Sequence, residues 1–183
     1  MGFWQDLKSY AVRVAQAIRK TQAKTVVCLS PHAAEMFKHV YPQFEEFPEL
    51  EVKTFEELVW EKRDKLSPIP TDSPVVIHDS CRLARDLGIS KEIRDILDSV
   101  GVSYIEPIRN KEWTTCCGGP GKMLFPEISK IIAERRVNEL TDTGASKALL
   151  ACPYCLSSRE GGLKQDKPMV MEDLVEFIYR GVN

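Results

Sequence analysis

Five of the six cysteines stand in three groups: Cys81, the adjacent pair Cys116 and Cys117, and Cys152-x-x-Cys155. The two spacers between groups, residues 82–115 and 118–151, are equal in length. Each group falls at the C-terminal end of a predicted strand or in the loop after it. In a parallel sheet those ends lie along one edge, where such folds bind ligands. A fold for this chain must therefore bring three loops and five thiols to one place. Adjacent cysteines are poor disulfide partners, because bridging neighbours strains the peptide between them. The pair is read instead as two ligand sulfurs supplied from one point. Gly118, Gly119 and Gly121 follow at once, and their bare backbone lets amides approach sulfur. Cys152 precedes Pro153 at a helix start, where free N–H groups lower a thiol's pKa.

The pattern along the chain alternates helices and short apolar strands. Residues 3–20 carry an apolar stripe at Phe3, Leu7, Ala11, Val14 and Ile18. "TVVCL" (25–29) reads as a strand, and Ser30-Pro31 opens a helix. A brief strand follows near 50–53, then a helix capped by Thr54 with Glu57 completing a capping box. "LSPIPTDSP" (66–74) is Pro- and Ser-rich and is read as a linker. Beyond it come strands at 75–79, 102–108 and 147–151, helices at 91–100 and 126–140, and a short helix after Pro153. "MEDLVEFIYR" closes the chain. Strands separated by helices of this length imply parallel pairing and an α/β fold of small parallel sheets flanked by helices.

The chain also matches itself. Residues 1–33 slide onto 123–155 without a gap, aligning Phe3 with Phe125, Ala11 with Ala133, Arg13 with Arg135 and Pro31 with Pro153. Farther on, "TFEELV" resembles "VMEDLV". The expected organisation is two pseudo-repeats: an incomplete first one at 1–65 that has lost its cysteines, the linker 66–74, and a complete one at 75–183. Ser30 and Ala33 stand where the second copy has Cys152 and Cys155, and Cys28 falls opposite Leu150 inside a strand. Cys28 is thus read as a small buried residue rather than a ligand. A half-repeat with so few strands leaves an unpaired edge. Either its strands join those of the second repeat in one continuous sheet, or another polypeptide supplies the missing part. The second is favoured, with this chain a truncated or split member of a larger assembly.

Composition sets the surroundings. The 183 residues are 43% hydrophobic and 28% charged, with a formal net charge of −2. Lys and Arg are spread along the length, which gives no footprint for nucleic acid or a membrane surface. The opening "MGFWQDLKSY" has no basic or apolar run of a signal peptide, and no apolar run is long enough to cross a bilayer. A cytoplasmic setting is expected, and there six cysteines point to metal ligands or redox groups rather than structural disulfides.

"HDSC" (78–81), "CCGG" (116–119) and "CPYC" (152–155) together resemble the cysteine-rich CCG domain. That domain occurs in the B and D subunits of heterodisulfide reductases. It is also found in the iron–sulfur subunits of glycolate and lactate oxidation and of anaerobic glycerol-3-phosphate dehydrogenase. The resemblance spans residues 75–160, and 1–60 resemble the tail of the family's first repeat. It implies that Cys81, Cys116, Cys117, Cys152 and Cys155 ligate one [4Fe–4S] cluster, cubane or noncubane, with Gly118 and Gly119 beside it. It implies an iron–sulfur oxidoreductase subunit of heterodisulfide-reductase type, exchanging electrons with a thiol/disulfide substrate or with a partner, either a flavoprotein or a ferredoxin-like subunit. Ser80 departs from the family, which usually has Pro before the cysteine.

Zinc is the rival metal, since it too takes thiolates, in sets of four; with zinc or a purely structural cluster the chain would be a binding module without redox turnover. His78 is either a proton donor at the cluster edge or a strand-end histidine bonded to backbone. Asp79 is read as capping the loop, His32 and His39 as surface helix residues, and Trp4, Trp60 and Trp113 as packing residues. Arg82 and Arg85 either face an anionic thiol substrate or lie on a solvated helix face.

Overall fold

The structure, a computed structural model, describes residues 3–44, 47–158 and 169–182. It comprises two compact units, Met1–Phe55 and Glu56–Asn183.

In the first unit, α1 (Trp4–Thr21) ends at Gln22, whose left-handed φ of 56° turns the chain into β1 (Thr25–Cys28). The strand pairs in parallel with β2 (Glu51–Thr54), Cys28 opposite Thr54. Between them α2 (Pro31–Glu35) loosens into a π-helical turn (Met36–Val40) and a 3-10 turn (Tyr41–Gln43). Pro42, which lacks an N–H, ends the helical run. The core is aromatic: Ala11, Tyr41 and Phe44 are buried, and the Tyr41 ring meets Phe37 at 5.2 Å and Phe47 at 5.1 Å. Cys28 is buried, as read from the sequence.

The second unit is built on four parallel strands in the order β4-β3-β5-β6. All four residues of β3 (Val75–His78) are buried, as a central strand covered on both faces requires. Its neighbours are β4 (Tyr104–Ile105), with Val76 opposite Ile105, and β5 (Lys147–Leu150), with His78 opposite Leu150. The expected 102–108 strand is thus reduced to two paired residues. It lies at the edge, and Pro107 offers no N–H to extend the ladder. β6 (Val170–Asp173) pairs beside β5, a strand within the segment that closes the chain. Glu172 fits there because Lys147 on the adjacent strand pairs with it at 2.9 Å. Asp173 then caps α7 (Leu174–Tyr179) by accepting the Val175 N–H at 2.8 Å.

Helices α3 (Phe55–Glu61), α4 (Lys91–Ser99), α5 (Pro126–Thr141) and α6 (Pro153–Ser158) complete the chain. The Pro-rich 66–74 stretch lies within the second unit. Ser67 N–H donates to Gly181 O, Ile69 N–H donates to Val100 O, and the Ile69 side chain is buried. Among the described residues the strands form two separate parallel sheets, not one continuous sheet. Among the described residues no helix is long and apolar enough to cross a membrane.

Candidate metal centre

The C-terminal ends of β3 and β5 deliver the outer cysteines, and the long β4–α5 loop delivers the pair. Cys81 lies three residues beyond β3 and opens a π-helical turn (Arg82–Asp86). Cys152 precedes α6, its carbonyl accepting the Leu156 N–H at 3.1 Å, and Cys155 lies inside that helix. The five thiols form an unbroken run of hydrogen-bonding contacts: Cys81 to Cys116, Cys116 to Cys117, Cys117 to Cys155, and Cys155 to Cys152. Cys28 belongs to the other unit.

Crowding divides the charge among them. Cys116 is pulled down to about 2 because the Cys117 and Cys81 thiols and the Gly118 N–H all donate to it. Donating to Cys116 in turn raises Cys81, and Cys117 is pushed up to about 11 for the same reason. Contacts with Cys117 and Cys152, then burial, raise Cys155. Five thiolates in contact repel one another, and a bound cation is what lets such a set ionise together.

The glycines do what their position suggested. Gly118 N–H reaches Cys116 Sγ and Gly119 N–H reaches Cys117 Sγ, each at 3.4 Å. Gly118 adopts φ +79°, and a Cβ there would lie 2.6 Å from Ser129 O on α5. At Gly119 a Cβ would meet Tyr154 O and Ser158 Oγ at 2.8 Å. The turn is pinned between two helices that only a side-chain-free backbone can enter.

A buried ion network positions the loop. Asp79, at the end of β3, takes both arms of Arg94, at 2.5 and 2.8 Å, and also accepts the Lys111 N–H at 2.7 Å. Its own carbonyl accepts the Thr114 hydroxyl at 2.8 Å. Arg94 in turn holds Glu106 through two bonds, at 2.9 and 2.7 Å. Arg85 donates to Thr114 O at 2.6 Å, so it clamps the segment leading to Cys116, while Arg82 pairs with Asp86 at 3.0 Å on the surface. Arg94 was not singled out in the sequence. Its one signal was a charge on the apolar face of α4, between Ile93 and Leu97.

His78 is buried behind the thiols. One ring nitrogen lies within 4.8 Å of the sulfurs of both Cys117 and Cys155. Its Nδ1 accepts from Arg136 Nε at 2.8 Å, so it is not bonded to backbone there. Burial, and then the Arg136 charge, push the imidazole down to about 3, so it is neutral. Arg136, itself buried, also donates to Arg109 O at 2.9 Å and pairs with Glu139 at 3.1 Å. His78 Nε2, Ser80 Oγ and Arg136 Nη2 are buried and lack a hydrogen-bond partner among the described residues. A small cavity of about 20 Å³, lined by His78, Cys117, Arg136, Leu150, Cys155 and Met171 among others, opens beside the thiols.

The remaining sequence-selected residues lie elsewhere. His39 is exposed and His32 half-buried. Trp4 leans on Phe44 at 5.3 Å, and Trp60 donates to Asp95 at 2.8 Å under the Arg63 guanidinium. Trp113, expected to pack, is 76% exposed, because Thr114 rather than the indole turns inward to Asp79.

A parallel sheet that gathers five reduced thiols at one edge, with backbone N–H donors on two of them and orphaned buried donors on His78, Ser80 and Arg136, is a thiolate metal domain. Its sulfurs fit an iron–sulfur cluster, and its unpartnered N–H groups fit the anionic sulfur of such a group. Residues 75–158 match the CCG cysteine-rich domain, and this part of the chain belongs to that family. Over 129 residues the chain is 33% identical to the D subunit of a dihydromethanophenazine:CoB–CoM heterodisulfide reductase from Methanosarcina barkeri, covering 67% of this chain and 29% of that one. Over 174 residues it is 32% identical to the Methanosarcina mazei protein of the same name, covering 89% and 42%. It is also 32% identical over 174 residues to a probable iron–sulfur-binding oxidoreductase, FadF, of Bacillus subtilis, covering 89% and 24%. The chain therefore spans less than half the length of these relatives.

Proposed function

We propose that Cys81, Cys116, Cys117, Cys152 and Cys155 hold one [4Fe–4S] cluster, and that the chain serves as an iron–sulfur oxidoreductase subunit of heterodisulfide-reductase type. The observation that carries this is the unbroken run of five reduced thiols drawn from three loops. Zinc uses four such ligands, and an adjacent pair serves a tetrahedron poorly. The named relatives, iron–sulfur oxidoreductases and their subunits, support the same reading.

When bound, the cluster supplies one-electron transfer. The chain's own residues provide the thiolates, the Gly118 and Gly119 N–H bonds to sulfur, and a wall of apolar side chains that limits water. Reducing a disulfide to two thiols takes two electrons and two protons, so single electrons must arrive twice from a partner. A flavoprotein or ferredoxin-like subunit fits that role. Exposed Met123, Leu124, Phe125, Ile128 and Ile131, just beyond the CCGG turn and along α5, offer such a partner apolar surface.

The test is iron and acid-labile sulfide analysis on protein purified without oxygen, with absorption near about 400 nm from iron–sulfur charge transfer. Brown protein with stoichiometric sulfide supports the proposal. Colourless protein holding zinc refutes it and leaves a zinc-stabilised binding module.

A further inference from the structure

We propose that Arg136 fixes His78 as an Nε2–H hydrogen-bond donor to the sulfur of the metal centre, so that His78 tunes the centre without ligating it. This rests on the thiolate metal centre proposed above.

The polarity of one contact decides the matter. A guanidinium carries five N–H donors and no acceptor. The 2.8 Å contact between Arg136 Nε and His78 Nδ1 can therefore only be a bond into the Nδ1 lone pair. With Nδ1 occupied as an acceptor, the single proton of the ring sits on Nε2. A metal-ligating histidine has the reverse arrangement. Its second nitrogen gives a proton to a carboxylate or carbonyl, which leaves a lone pair aimed at the metal. Here the supporting residue is a donor, and the nitrogen left over is an N–H. His78, Cys117 and Cys155 lie close enough together to suggest a metal triad, yet Nε2 could join it only as an imidazolate. The same logic limits proton delivery, since giving up the Nε2 proton would also leave an imidazolate.

The orphaned donor supplies the second line of argument. His78 is 1% exposed and its Nε2 has no partner among the described residues, which is costly for a buried N–H. One ring nitrogen of His78 lies within 4.8 Å of the Cys117 and Cys155 sulfurs, and with Nε2 unpartnered by protein the acceptor left for its N–H is sulfur of the bound group. An N–H donated to such sulfur favours the more negative, reduced state and so raises the potential. Arg136 is a positioning residue, held by Arg109 O and Glu139 on the far side of its guanidinium.

Two readouts test this. In protein labelled with [15N]histidine and loaded with diamagnetic zinc, His78 should show an unprotonated Nδ1 and a protonated Nε2. Assignment follows from His32→Gln and His39→Gln, and the preference should be lost in Arg136→Met. A metal-bound or Nδ1-protonated ring overturns the proposal, and the wild-type spectrum needs no variant to fold. In the iron-loaded protein, His78→Phe should lower the midpoint potential, cutting the reduced fraction at a fixed poise by up to about tenfold, equivalent to about 59 mV for one electron. Arg136→Met should shift it the same way, and the double variant by less than the sum. An iron protein whose potential ignores His78→Phe overturns this inference while leaving the proposed function intact. Protein that takes up only zinc overturns the proposed function, and the tautomer then decides the inference alone.

Discussion

Replacing Arg94 with Met should strongly destabilise the second unit. Arg94 is 5% exposed and makes five hydrogen bonds, two each to Asp79 and Glu106 and one to Ser90 O. The Glu106 side chain is 31% exposed, so water can replace its lost partner and little is forfeited there. Asp79 is different. At 1% exposure it keeps, among the described residues, only the Lys111 N–H for its carboxylate, and removing one member of a buried pair costs about 3–5 kcal/mol. For a chain of this size that lowers Tm by on the order of 10 °C. Urea unfolding can follow it through Trp60, whose indole is bonded to Asp95 on the same helix as Arg94. Because most of the penalty is an unpaired charge, adding Asp79→Asn should restore about 1–3 kcal/mol, the neutral amide still accepting from Lys111. Metal occupancy should fall alongside, since Lys111 and Thr114, which lead into Cys116, both hang on Asp79. A loss below about 1 kcal/mol in Arg94→Met, or a double variant as unstable as the two losses summed, would refute the account.

Gly118→Ala should abolish metal uptake, because its Cβ would strike Ser129 O at 2.6 Å, whereas Gly144→Ala, at a similar φ of +80° but in open space, should cost only about 1 kcal/mol and leave uptake unchanged; equal effects in a metal-content assay would contradict this. Cys116→Ser or Cys117→Ser should lose or convert the cluster while Cys28→Ala keeps full iron content, and iron loss on changing Cys28 would sink the assignment of ligands. For Glu139, burial works against ionisation, but the Arg109 N–H and the Arg136 charge prevail and hold its carboxyl below the usual range. A lowered folded pKa stabilises above the unfolded value of about 4.3 and is lost as pH falls through the folded value. Glu139→Gln should therefore be less stable than wild type at neutral pH, the gap closing in acid, and a pH-independent gap in denaturant titrations would rule that out.

Much of the architecture was legible because it is written locally. Ser30-Pro31 and Pro126 mark helix starts, and the apolar runs at 25–28, 75–78 and 147–150 have no polar residue to compete for the sheet until their ends. β6 was not, because Glu172 and Asp173 are poor strand formers and fit only once Lys147 on the neighbouring strand is in register. The thiols were legible from spacing alone. The charges that hold the site in shape were not: Arg136 meets His78 across 58 positions and Arg94 meets Asp79 across 15. Neither pairing follows from any local pattern, since each depends on how a helix is rotated against the sheet. Arg85 illustrates the same limit: by sequence it either faces an anionic thiol substrate or lies on a solvated helix face, and by structure it clamps Thr114 O.

The two units bear on what the thiols are for. Under the ungapped sequence match, Thr25–Cys28 falls on Lys147–Leu150, and Pro31 at the head of α2 falls on Pro153 at the head of α6. In each case the next strand pairs in parallel at the same place, Cys28 opposite Thr54 and Leu150 opposite Asp173, and runs straight into a helix at Phe55 and Leu174. Both segments therefore share one strand-helix-strand order. Only the second segment bears cysteines at the crossover, yet the first reaches the same arrangement with Ser30 and Ala33. Parallel pairing and crossover packing thus build the strand-helix-strand arrangement without thiols at its C-terminal edge. What the second unit adds to make that edge a metal site is β3, β4 and their loops. They bring Cys81 and the glycine-flanked pair to Cys152 and Cys155, with Asp79 and His78 beneath to fix them in place.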